Sequence, residues 1–178
     1  MTDPTLGLHS LATMVRVLGQ PQPLEQVLEL AAEGARLALK AATVSLSRFD
    51  VEERCLRTLI NVGNLSPNEV RWPTDETYVV DPWPELADVL EHGSVRSDSL
   101  TDPTIDPRER ALLEHLGKGH SISAAVLVDG EVWGEFYATR WRGDPRFADE
   151  SASYVEVLSA LLGSAISRAL QEESAARR

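Results

Sequence analysis

A chain of 178 residues with 43% hydrophobic content is long enough for one domain with its own core. Its 17 basic and 28 acidic side chains give a formal charge of -11, and no basic cluster exceeds Arg140, Arg142 and Arg146 or the terminal Arg177-Arg178, which argues against nucleic acid and anionic lipid as partners. The lone Cys55 excludes an internal disulfide and a cysteine zinc site and fits a reducing, cytoplasmic setting; Asp3 and Pro4 stand where a secretory leader would be basic, and no apolar run approaches the roughly 20 residues of a membrane span.

Leu8, Leu11, Val15 and Leu18 recur at helical steps, predicting an amphipathic helix over 6–19 that Gly19 and Pro21 end. After Pro23 a second helix places Leu24, Val27, Leu28, Ala31, Ala35 and Ala38 on one stripe whose small residues permit close packing. TVSLSRFD (43–50) and CLRTLINVG (55–63) alternate like the arms of an antiparallel hairpin. From Asn64 to Pro84 the chain is rich in proline, asparagine and aspartate, a long excursion of the kind that often carries function. Short helices are predicted over 84–93 and 106–119, the latter opened by Asp106 and Pro107, with a short strand, SVRSD, between them. A second hairpin, 121–128 and 131–140, turns at Asp129-Gly130, a pair suited to the positive φ angles of a two-residue turn. The long helix that follows has a seam of Val155, Leu158, Leu162, Ala165 and Ala169.

This order predicts an α+β fold, an antiparallel sheet with the terminal helices on one side. The segments expected are an N-terminal helix (1–22), a domain (23–171) and a polar tail (172–178).

In DGEVWGEFYATR, strict alternation puts Val132, Gly134, Phe136 and Ala138 on one strand face and Trp133, Glu135 and Tyr137 on the other. Together with SISAAVLV before it, SVRSDSLTDP at 94–103, and Phe147 followed by the final helix, this hairpin resembles the GAF domain family of small-molecule sensing modules, over roughly 24–170. The resemblance implies a central antiparallel sheet of five or six strands, with the first and last helices on one face and loops and short helices capping a pocket on the other. It places Trp133, Glu135 and Tyr137 on the pocket floor with Ser123 as a hydrogen-bonding group. Trp72, Tyr78 and Trp83 become the lid, and Asp98 and His120 rim groups.

Aromatic walls around one carboxylate describe a small-ligand site, and equally a second hydrophobic core with no ligand. Glu135 inside a cavity calls for a partner, for which Arg71, Arg57 and His120 are candidates, or else a wet pocket mouth. His120 as a haem ligand competes with a turn or cap role. Asp98, Asp102 and Asp106 as a cation site compete with turn formation and capping. Redox relatives that use several cysteines, and bilin-attaching relatives with a Cys-His pair, are not matched. Phe147, Asp149 and Glu150 echo only the end of the cyclic-nucleotide pattern. No catalytic or metal motif appears.

The expectation is therefore a non-enzymatic sensor with an unidentified small ligand and no assigned cofactor, signalling through a homodimeric bundle of the N- and C-terminal helices; the alternative is a dimerisation or interaction module with a filled cavity. The chain is either an excised sensor serving an output domain or a regulator acting through another protein.

Overall fold

In the computed structural model, which describes residues 4–81 and 83–178, α1 (Pro4–Leu18) and α2 (Leu24–Ala38) lead into the hairpin of β1 (Thr43–Asp50) and β2 (Cys55–Gly63). The middle of the chain supplies β3 (Thr77–Val79), α3 (Pro84–His92), β4 (Val95–Ser99) and α4 (Pro107–His115). The second hairpin, β5 (Lys118–Val128) and β6 (Glu131–Trp141), precedes the long α5 (Asp149–Ala176). Residues 1–3, at the head of the expected N-terminal segment, and Pro82, within the expected excursion, lie outside the described residues.

Local chemistry accounts for most of these boundaries. The small-residue stripe of α2 buries Val27, Leu28, Ala31, Ala32 and Ala35. Asp106 caps α4 by accepting from the backbone N–H of Arg108 at 2.8 Å and of Glu109 at 3.4 Å. Asp129 and Gly130 both take positive φ, 53° and 86°, as the tight turn between β5 and β6 demands. The α4 helix is shorter than predicted, because Gly117 turns with φ 69° and β5 begins at Lys118 rather than Ser121. The three-residue β3, hidden in a proline-rich stretch, was not predicted. The expected polar tail is also helical as far as Ala176, continuing α5.

The six strands form one antiparallel sheet in the order β3-β2-β1-β6-β5-β4. The two hairpins join through β1 and β6, where Thr43 and Thr139 share a buried hydroxyl contact of 2.6 Å. α1, α2 and α5 cover one face, burying Val44, Leu46, Ile60, Ile122 and Phe136 beneath them. α5 lies so close that a Cβ at Gly163 would run into the Leu127 carbonyl oxygen.

The stripe of α1 divides. Met14 and Leu18 are buried in the core, and Ser10 Oγ and Tyr154 OH lie 3.0 Å apart, so part of the stripe packs within the monomer rather than being left for a dimer interface. Leu8 and Val15, seven residues apart, remain 71% and 51% exposed.

The largest departure from strict alternation lies in β6. Val126 pairs with Gly134 and Leu127 with Val132, so Trp133 is an extra residue, a β-bulge. The bulge shifts the pleat by one. Trp133 turns into the helix-side core and Val132 packs instead with the smaller cluster of Leu56, Val80, Leu86 and Leu90 beneath α3, the reverse of the expected faces. Beyond the bulge the alternation resumes as predicted, with Phe136 and Ala138 under the helices.

Candidate functional site

The sheet face away from α1, α2 and α5 carries a pocket between β1, β2, β5 and β6 below and α3, α4 and the 64–80 segment above. Its apolar wall comes from Leu56, Tyr78, Trp83, Leu86, Val89 and Leu112. The strands present short hydroxyls, Ser45 and Ser47 from β1, Thr58 from β2 and Ser123 from β5, because these positions alternate with the apolar residues of the helix face. Water-sized spheres can occupy about 50 Å³ of it, within a total empty volume of about 660 Å³ that includes the open mouth. A water needs roughly 10–15 Å³ of such space. The cap as it stands therefore leaves room for a few waters or a small organic molecule.

The polar groups are arranged around carboxylates. Glu76 accepts from Thr58 Oγ1 (3.0 Å), Tyr78 OH (3.0 Å) and Asn61 Nδ2 (2.9 Å). Ser45 Oγ donates to Asn61 Oδ1 (2.5 Å) and Ser47 Oγ to Thr58 Oγ1 (3.3 Å), so the hydroxyl protons of the strands run toward Glu76. Glu109, brought over the sheet by α4, accepts on Oε1 from Ser121 Oγ (2.5 Å) and Tyr137 OH (2.8 Å). On the rim, Arg96 donates from Nε and Nη2 to the two oxygens of Asp98 at 2.8 and 3.0 Å.

Glu135 is different. It is only 7% exposed and lines the pocket, yet no hydrogen bond or ion pair reaches its carboxyl group among the described residues. Burial, and then the nearby Glu109 charge, push it up to about 8. Burial also raises Glu109 and the phenols of Tyr78 and Tyr137, each of which faces further negative charge.

Of the residues expected at the site, Glu135, Tyr137, Ser123, Tyr78, Trp83 and Asp98 line the pocket. Trp133 does not, since the bulge turns it to the other face, where its indole N–H is buried without a partner. Trp72 does not either. Arg71 pairs with Glu29 and Glu33 of α2, and its carbonyl accepts from Asn61 N at 2.8 Å, which holds this stretch along the edge of β2 and leaves Trp72 36% exposed. His120 belongs to β5, out of phase with Ser121 and Ser123, and its Nδ1 meets Ser99 Oγ at 2.9 Å; burial lowers its pKa.

None of the three partners expected for Glu135 reaches it, because Arg71 is held by α2, Arg57 by Asp50 and Glu53, and His120 by Ser99. Asp102 accepts from Thr104 N and Oγ1, and Asp98 and Asp106 have the partners given above, so these acids serve turn, rim and cap. Glu109 and Glu76 were missed. Ser45 and Ser47 were not singled out either, although the alternation of TVSLS could have found them; no local pattern marks Glu109, which sits one helical turn past an ordinary N-cap. Among the described residues no helix is long and apolar enough to cross a membrane.

Solved structures of the same shape are numerous. A GAF domain from a phosphoenolpyruvate-protein phosphotransferase of Coxiella burnetii superimposes with a TM-score of 0.75 at 18% identity, covering 97% of this chain and 99% of that one. The chromophore-binding domain of an unusual bacteriophytochrome from R. palustris gives 0.75 at 14% identity; 93% of this chain is covered but only 62% of that one. The phycoerythrobilin-bound GAF domain from a cyanobacterial phytochrome gives 0.74 at 15% identity, covering 94% and 97%. These likenesses establish the fold. No curated protein sequence matches. The GAF domain family model matches residues 23–166, from the start of α2 to within α5, and by that match over most of its length the chain belongs to the GAF domain family.

Proposed function

We propose that this GAF domain is a sensory module that takes a small molecule between the sheet and the cap of α3, α4 and the 64–80 segment. The observation that carries the reading is Glu135, a carboxyl group only 7% exposed on the pocket floor, to which no described protein group hydrogen-bonds. A buried polar group of this kind is costly in a site that serves only for packing and useful in one that receives a guest. One neighbour of the same fold being phycoerythrobilin-bound also supports small-molecule binding as a use of this fold.

The reading is of binding without catalysis. In support, neither histidine nor cysteine is among the residues lining the pocket, and the hydroxyls of Ser45, Ser47 and Thr58 are committed to neighbours. The signal would leave through a homodimer built on α1 and α5, for which the exposed Leu8 and Val15, and Val157 at 47% exposure on α5, provide apolar surface. An attached output domain or a separate partner would receive it.

The second reading, an interaction module with a filled cavity, draws support from the small space of about 50 Å³. Native mass spectrometry of the protein purified from its own source decides between them. A retained small molecule, lost on denaturation, is expected; a bare chain mass with no thermal shift from any metabolite would leave the packing reading standing.

A further inference from the structure

The lining of the pocket is one-sided in charge. Among the described residues Glu69, Glu76, Asp98, Glu109 and Glu135 face it, against one guanidinium, that of Arg96, which pairs with Asp98. The hydrogen-bonding balance has the same sense. Tyr78, Tyr137, Ser45, Ser47 and Thr58 donate their hydroxyl protons to protein acceptors, while both oxygens of Glu135 and Oε2 of Glu109 accept none from the described residues. Among the described residues the site is poor in positive charge, and its hydroxyls are mostly committed to protein acceptors, Ser123 being the exception.

An anionic guest would meet these carboxylates with little to offset them. A bare metal ion is equally poorly served, because among the described residues no three pocket carboxylates bring oxygens within 4.8 Å of one another. Around the carboxylates stand the rings of Trp83, Tyr78 and Tyr137 and the side chains of Leu86 and Leu112. Aromatic faces and apolar walls suit the stem of an organic cation.

We infer that the ligand of this pocket is a small organic cation carrying N–H donors on an apolar stem, of the alkylammonium, amidinium or guanidinium class, received by Glu135 and Glu109 and enclosed by Tyr78 and Trp83. This rests on the pocket being a ligand site, as read above. Binding then exchanges a proton for the cation. Glu135 holds its proton up to about pH 8 in the empty site, facing Glu109 from α4, Tyr137 from β6, Tyr78 from β3 and the Arg96–Asp98 pair on β4. Affinity for a cation that does not itself titrate in this range should rise with pH until that value and then level off.

The test uses the whole chain and compounds of defined charge. Butylammonium, butan-1-ol and butyrate form one set of similar shape, and benzamidinium, benzamide and benzoate a second. Binding is followed at pH 8 and pH 6 by calorimetry and by backbone amide chemical shifts. The two cations are expected to bind about tenfold or more tighter than their neutral counterparts and the carboxylates not at all, and affinity for the cations to fall by up to about tenfold per pH unit on acidification. Glu135→Gln should weaken the cations by about tenfold or more while raising the Tm, and Glu109→Gln, which keeps an oxygen acceptor, should weaken them with a folded amide spectrum. A neutral or anionic compound that perturbs pocket amides as strongly as its cation, or a cation bound equally by wild type and Glu135→Gln, overturns the inference and leaves the ligand site standing. Silence from all six compounds, together with a bare chain in native mass spectrometry, removes both.

Discussion

Replacing Glu135 by Gln isolates the electrostatic stress of the pocket at almost constant shape. In the folded protein this carboxyl keeps its proton up to about pH 8, whereas the unfolded chain releases it near the ordinary value of 4.5. A carboxyl group raised in this way favours the folded state below the unfolded value, relative to a fixed amide, and that contribution is lost as pH rises toward the folded value. Each pH unit within this window is worth about 1.4 kcal/mol, so between pH 5 and pH 8 the wild type should lose at most about 4 kcal/mol relative to Glu135→Gln. Urea unfolding of both proteins at pH 5, 6.5 and 8, without added ligand, measures the difference directly. Other titrating groups remote from the site, such as His120, largely cancel in it. Parallel stability profiles for the two proteins would refute the argument, since they would mean that Glu135 is solvated and ionised in the native state. The expected result would also support the proposed cation, because the group that destabilises the domain at high pH is the one such a ligand would neutralise.

The remaining predictions separate the pocket from the rest of the fold. Trp133→Ala should destabilise the domain by about 3 to 5 kcal/mol in chemical unfolding, because it removes a large side chain from the helix-side core; a stable variant that has lost only ligand binding would contradict that placement. Gly163→Ala should cost about 1 to 3 kcal/mol in the same assay, since its Cβ meets the Leu127 backbone oxygen and α5 must move outward. Paired replacement of Leu8 and Val15 by Glu, both exposed on α1, should leave the thermal unfolding profile of the subunit in place while halving the solution mass measured by light scattering; an unchanged mass would locate any dimer elsewhere.

The sequence alone determined the features that depend on near neighbours in the chain. Asp129-Gly130 specifies a tight turn because those two residues tolerate positive φ, the alternation of TVSLSRFD and CLRTLINVG yields strands with one polar face, and the alanine stripe of α2 yields a helix able to lie close to a sheet. From these and the order of elements, the terminal helices could be assigned to one face and Glu135, Tyr137 and Ser123 to the other. Strict alternation failed at one residue. Nothing in DGEVWGEFYATR announces the bulge at Trp133, because a bulge is set by how β6 pairs with β5 and by the room that Gly134 leaves beside the Ser47 carbonyl oxygen, and one inserted residue reverses every side chain before it. The acids that share the pocket with Glu135 were out of reach for a similar reason. Glu109 and Glu76 lie far from it in the chain, on a helix and a loop whose local patterns record only caps and turns. Only the docking of α4 and the 64–80 segment over the sheet gathers these acids into one pocket with the buried Glu135, and that convergence, rather than any motif, gives the pocket its negative charge.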